Sequence, residues 1–245
     1  MTPPSPTLIA LTGGIGTGKS VVSRLLRTMG YDVYDCDAAA KRLMADDAAL
    51  RGALADAFGA DTYRPDGSLD RARLAACIFG DAEALARMNA LVHPAVRRDL
   101  LDWRLRHTVA GSTEAGHPLF YESAILHESG FHRLADAVWC ISAPLDLRVR
   151  RAALRDGTSP ERIRERIASQ MPQEEKERRS DRVILNDARH SVIAQVRSLL
   201  ASLPSAQPLR PEGPRSELGY TDGGRCIQQI PIDTPTTDNV SSESR

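Results

Sequence analysis

Between Gly13 and Ser20 the chain reads GGIGTGKS, which fits the pattern G-x-x-x-x-G-K-[ST]. Glycines at such spacing let successive backbone N–H groups turn toward one centre, and the start of a following helix adds partial positive charge there. The chemistry this suits is the holding of a nucleotide's phosphates. Lys19 would reach the β- and γ-phosphate oxygens, and the Ser20 hydroxyl would ligate Mg2+. Lysine is the rare choice in this chain, which has only Lys19, Lys41 and Lys176 and otherwise uses arginine. A dinucleotide-binding turn fits less well, because the glycines do not give G-x-G-x-x-G in register and that motif has no phosphate-binding lysine.

A phosphate holder does not identify the acceptor, so other reactive side chains matter. Asp35 and Asp37 stand two apart on what reads as an extended segment, where they would share a face at a strand's carboxyl end. A carboxylate there can take the proton of an attacking hydroxyl, or one of the pair, Asp37 included, can cap the helix that follows. Arg148, Arg151 and Arg155 follow i, i+3, i+7 spacing, and Arg162 and Arg166 lie one turn apart. Such arginines either neutralise a transferred phosphoryl group or form a solvated face with Glu161 and Glu165; Arg151 and Arg155 are the functional candidates. NALVHP places Asn89 and His93 four apart on a helix that Pro94 is expected to interrupt or redirect. A lone histidine at such a place serves structure more often than chemistry. The D-x-x-G match at Asp56 to Gly59 ends an amphipathic helix, and the chain has no N-K-x-D, so a guanine-nucleotide reading is set aside.

The elements that must position these residues can be read from apolar runs. A buried strand is predicted over Leu8–Leu11 and a helix from about Gly18 to Met29. YDVYDCD reads as a second strand ending near Asp35 or Asp37, and HPLFYES, DAVWCIS and RVILND read as three more. Residues 38–108 are mostly helical, with turn chemistry at Pro65, Asp66 and Gly67 and a cap at Ser68 or Asp70. A last helix is predicted from about Arg189 to Leu200. Strands alternating with helices imply an α/β fold with a parallel, doubly wound sheet. Residues 38–108 then form a helical insertion that binds the acceptor, 145–179 a lid and its following helix, and 1–203 the whole domain. Prolines punctuate the polar stretch 204–245, which is expected to be disordered.

At 245 residues the chain can bury a substantial core, and a formal net charge of +0 argues against a general nucleic-acid binder. Cys36, Cys77, Cys140 and Cys226 have no metal-ligand spacing and read as reduced cytosolic thiols. MTPPSPT lacks the features of a signal peptide, and no apolar run is long enough to cross a bilayer, so a cytoplasmic protein without a membrane partner is expected.

Together LTGGIGTGKS, the DCDA after the second strand, NALVHP, RDG, the later R-I-x-x-Q and VI-x-N segments resemble the dephospho-coenzyme A kinase family over about residues 8–200. The resemblance implies a P-loop kinase that transfers the ATP γ-phosphoryl group to the ribose 3′-hydroxyl of dephospho-CoA, with ATP and Mg2+ bound. It implies ATP contacts at Gly14, Gly16, Thr17, Gly18, Lys19, Ser20, Val21, Arg151 and Arg155, with Ser20 on the metal. It implies an acceptor pocket using Thr12, Asp37, Asn89, His93 and Glu128, and catalytic roles for Lys19, Asp37 and Arg155. Gln170 falls in the R-I-x-x-Q segment without an assigned role. Two departures stand out. Val21 follows the loop serine where the family commonly has threonine, and ESAILHE replaces D-x-P-L-L-x-E, with Glu122 at the acidic position and Ala124 for the proline. The alternatives are a nucleoside monophosphate kinase and a nucleotide-controlled switch.

Overall fold

The run at Leu8–Thr12 is buried at all five residues and forms β1, the middle strand of a five-stranded parallel sheet. The computed structural model describes residues 7–109 and 117–203; the tail expected from residue 204, and Cys226 within it, lie outside them. β1 is flanked by β3 (Leu119–Glu122) and β4 (Ala137–Ser142), with β2 (Val33–Asp35) and β5 (Arg182–Leu185) outermost, in the order β2-β3-β1-β4-β5. Ile9, Leu11, Phe120, Trp139, Ile141 and Ile184 from four strands form one apolar core with Val22 and Leu26 of α1 (Lys19–Thr28) and Val196 of α9 (Val192–Ala201). Each fully buried side chain of this size is worth about 1.5–3 kcal/mol, so the sheet's centre is held rigidly where the glycine turn leaves it. Paired aspartates fix its lower edge: Leu8 N–H donates to Asp136 Oδ2 at 2.8 Å and Val138 N–H to Asp181 Oδ2 at 2.7 Å.

The register puts the carboxyl ends of three strands side by side. Leu11 pairs with Glu122, and Glu122 with Asp35. β2 ends at Asp35, and Asp37 already lies in the first turn of α2 (Cys36–Asp46). The two aspartates therefore do not share a strand face, as the sequence had suggested. Asp35, not Asp37, does the capping: its Oδ1 accepts the Ala38 N–H at 2.9 Å. The capping signal won because a strand-end aspartate can satisfy an orphan helix donor three residues on.

Residues 40–95 form a compact unit of their own, distinct from the sheet unit made of 7–39 and 96–203. α3 (Ala48–Phe58) is capped by Asp47, and α4 (Arg71–Ile78) by Asp70, whose side chain accepts the Arg73 N–H. Their core is Leu43, Met44, Leu50, Leu54, Phe58, Leu74 and Met88. Tyr63 ties the loop between them, its hydroxyl donating to Met44 O at 2.8 Å while Arg51 stacks on its ring. α5 runs Ala82–Val109 straight through Pro94, so the expected interruption does not occur. The missing proline N–H costs one helical hydrogen bond, which the packing of Met88, Val92, Val96 and Leu100 outweighs.

After β4 the chain continues through α6 (Leu145–Asp156), α7 (Pro160–Ala168) and the short α8 (Gln173–Arg178). Ser159 caps α7 with Pro160 in its first turn, as its sequence predicts. α9 starts at Val192 behind a Ser191 cap, later than predicted, because Asp187 first closes a turn on the N–H groups of Arg189 and His190. Among the described residues no helix is long and apolar enough to cross a membrane. Cys36, Cys77 and Cys140 are free thiols.

His127, in the turn after β3, is 8 % exposed, and burial with the adjoining His132 pushes its pKa down to about 4. An unfolded histidine titrates near 6.5, so between these two values only the unfolded chain carries this proton. Stability should fall as pH drops from about 6.5 and level off near 4. Denaturant melts against pH should show proton uptake on unfolding at about pH 5, and His127→Gln should reduce that slope, the remainder including His93, whose pKa burial also lowers.

Candidate active site

The glycine turn is braced from within. Thr17 Oγ1 donates to Gly14 O at 2.9 Å, and Lys19 Nζ reaches back to Gly13 O at 2.7 Å. Two glycines are required by space as well as by backbone angle. Gly16 has φ +77° and a Cβ there would stand 2.2 Å from the Arg148 carbonyl; Gly18 has φ +95° and a Cβ would meet Asn186. Gly18 caps α1 in the left-handed conformation, which leaves the first N–H groups of the helix directed at the turn's mouth. Ser20 is exposed in that first turn and Val21 beside it is half exposed. The loop therefore offers N–H donors, an ammonium and a hydroxyl to one region, which suits a polyphosphate with its Mg2+.

Three acidic groups stand at the strand ends nearby. Burial lowers the pKa of Lys19, while the charges of Asp37 and Glu122 raise it and that of Lys176 lowers it. Glu122 closes β3, accepts the Ser23 hydroxyl on Oε2 at 2.7 Å and has its pKa raised by burial and by Asp35. Sequence had noted Glu122 only as a replaced motif position; the β1–β3 register is what brings it to the loop. Hard oxygen donors of this kind fit Mg2+, which is commonly held by few protein oxygens plus the phosphates. No group of three His, Cys, Asp or Glu among the described residues could hold a metal alone.

The arginines of α6 divide. Arg151 holds Asn186 through its backbone O at 2.9 Å, and Asn186 Nδ2 donates to Thr17 O at 2.9 Å, so Arg151 reaches the loop through one intermediary. Arg155 lies at the exposed end of α6 with its Nε on Asp156 Oδ1 at 2.6 Å, and Arg166 shares that aspartate. Arg148, which sequence reasoning passed over, is 5 % exposed and donates to Ile15 O at 3.0 Å. Gln170 and Gln173 accept the N–H groups of Ile15 and Gly14 at 3.1 and 2.9 Å. Only Gln170 had a sequence signal, its place in R-I-x-x-Q.

The side chains of Thr12 and Glu128 are both buried. Thr12 is wholly buried at the end of β1. The Glu128 side chain is 5 % exposed, against Lys176 Nζ at 2.8 Å, and also accepts the Met171 N–H. Lys176, itself fully buried, donates a second bond to Ala124 O at 2.7 Å, so the pair knits α8 to the turn after β3. Lys176→Met strands a buried carboxylate and should destabilise by about 3–5 kcal/mol, whereas the double change with Glu128→Leu should recover most of it. Thermal melts of the three proteins check this.

In the 40–95 unit, Asn89 and His93 lie on one side of α5 beside the buried Met88 and Val92. The Asn89 Oδ1 is buried without a hydrogen-bond partner, and burial lowers the His93 pKa. An acceptor left in this way is free to take a donor from a ligand or from water.

Comparison with known proteins fits this geometry. The family model for dephospho-CoA kinase matches residues 7–191. A dephospho-CoA kinase from Porphyromonas gingivalis is 39% identical over 206 residues, 83% of this chain and 98% of that protein. A Thermus thermophilus crystal structure superposes with a TM-score of 0.68 at 36% identity, covering 81% of this chain and 98% of that one. The dephospho-CoA kinase of Campylobacter jejuni, at 23% identity and TM-score 0.57 over 79% of this chain and 96% of that one, shares the fold. A glycine loop with its lysine and serine on a parallel sheet, matched over this length, places the chain in the dephospho-CoA kinase family, as an ATP-dependent kinase of P-loop fold.

Proposed function

We propose that this chain transfers the γ-phosphoryl group of ATP to the ribose 3′-hydroxyl of dephospho-CoA, with Gly14 and Gly16 to Val21 around the phosphates and Asp37 as base. The residue assignment is supported by the place of Asp37, in the first turn of α2 where its charge helps to sustain that of Lys19. Bond formation joins the hydroxyl oxygen to γ-phosphorus as the β–γ bridging bond breaks. The proton leaves toward the Asp37 carboxylate, and ADP departs with the bridging oxygen. Lys19 and the α1 N-terminus offset charge on the phosphates, Ser20 would hold Mg2+, and that ion would supply further charge neutralisation. Arg151 keeps Asn186 on the loop, and Arg155 is assigned to the ATP phosphates on the family resemblance.

Asn89 and His93 are assigned to the acceptor, supported by the orphaned Asn89 carbonyl. The donor's base fits a cavity of about 460 Å³ lined by Pro144, Asp146, Arg150, Asp187 and Arg189. It lies at the carboxyl ends of β4 and β5, beside the Asn186 that touches the loop, and its arginines offer planes for stacking. Nucleic acid is not a partner in this reading, and the cytoplasm is where the substrate pair would be met.

Purified protein with Mg·ATP and a panel of acceptors tests the proposal. Phosphorylated dephospho-CoA is the expected product. Transfer to AMP with none to dephospho-CoA would replace it with a nucleoside monophosphate kinase. Nucleotide binding without transfer to any small acceptor would favour the switch.

A further inference from the structure

One residue of the glycine loop is gripped on three sides by the lid. The Ile15 side chain packs against Val149, Ala152 and Ile163, the buried core between α6 and α7. Its N–H donates to Gln170 Oε1 at 3.1 Å, and its carbonyl accepts from Arg148 Nε at 3.0 Å. The preceding peptide is held the same way, Gly14 N–H on Gln173 Oε1 at 2.9 Å, while Gln173 Nε2 donates to Ile141 O at 3.2 Å on β4. Gly16, the next residue, lacks a side chain where the Arg148 backbone passes.

Wrapping phosphate requires small residues and N–H donors, and nothing in that task calls for a bulky aliphatic side chain in the loop. We propose that Ile15 is a key seated in the lid's apolar core, and that Gln170 is the positioning residue that fixes the peptide ahead of the phosphate-binding N–H groups. The loop and lid then act as one donor-side unit. A shift of α6 against the loop unseats Ile15 and breaks the bond at its carbonyl, and a shift of α7 with the Gln170 that follows it unseats Ile15 and breaks the bond at its N–H. ATP affinity and lid order thereby become linked quantities, while affinity for the acceptor stays outside the link. This rests on the reading that the loop holds ATP.

Calorimetric titration of Mg·ATP in the absence of acceptor, with steady-state kinetics beside it, decides the matter. Gln170→Met keeps the volume and loses the acceptor atom, so Kd and KM for ATP should rise about tenfold with KM for dephospho-CoA within about twofold. Gln170→Glu keeps an Oε acceptor and should bring Kd back to within about threefold of the parent. Ile15→Val should retain the lock. Ile15→Ala should weaken ATP and speed amide exchange over residues 160–168 with ATP bound, and adding Gln170→Met should cost less than the two single changes combined. An unchanged ATP affinity in Gln170→Met, no rescue by Gln170→Glu, or an equal rise in both KM values would overturn the proposal. If the parent binds Mg·ATP yet leaves dephospho-CoA untouched, the acceptor assignment fails, and the Kd series still decides the lock.

Discussion

Lys19→Met is expected to lower kcat by about a thousandfold or more while the protein keeps its melting temperature within a few degrees. Methionine preserves the length and the aliphatic stem but removes the ammonium that reaches Gly13 O at 2.7 Å. Burial already opposes the charge on Lys19, and Asp37 and Glu122 sustain it. That charge is kept in a desolvated place, where its attraction for a phosphate is strongest. It acts on oxygens whose charge redistributes as the phosphoryl group moves, so the loss should appear in kcat as well as in ATP affinity. Initial rates at saturating ATP, with calorimetric titration of the nucleotide, separate the two. A kcat within tenfold of the parent would mean that Lys19 is a structural brace of its own loop and no more.

Asp37→Asn should behave differently. We expect kcat to fall by about 10² to 10⁴ with KM for ATP within about threefold, because asparagine keeps the shape and one acceptor oxygen but cannot take a proton. The position favours this split. Asp37 stands in the first turn of α2, two residues beyond the strand end, and its charge helps to sustain that of Lys19. Removing that field leaves Lys19 with Glu122 as its remaining listener among the carboxylates, so nucleotide binding should persist. A near-normal kcat would withdraw the base assignment and turn attention to Glu122, which ends β3 beside the same loop.

The donor side was legible in the sequence because its elements are local. An apolar run, a glycine turn and helix-spaced valine and leucine occupy residues 8–26 without a long-range contact being needed to see them. Of the two strand ends the sequence allows, Asp35 and Asp37, the chain takes the first, and alternation cannot tell a strand's last residue from a helix cap. Glu122 could not be placed at all, because its nearness to Lys19 follows from parallel register between β1 and β3, whose residues are more than a hundred positions apart. Among the arginines of α6, spacing alone does not say which one meets the loop. Arg148 is the one buried against the loop, whereas the Arg155 side chain is 62% exposed beside Asp156. Glu128 was named only through the family resemblance, and its ion pair with Lys176, 48 positions away, left no local pattern to read.

The scarcity of lysine has a consequence for chemical probing. Of Lys19, Lys41 and Lys176, the last is sealed in the interior at 0% exposure, leaving Lys19 and the half-buried Lys41 as the lysine targets of an acylating reagent. The lowered pKa of Lys19 gives it a larger share of neutral, nucleophilic amine than an ordinary lysine has at the same pH. Acylation of lysine read by mass spectrometry thus rests on two peptides, one reporting the nucleotide loop and the other serving as its internal reference.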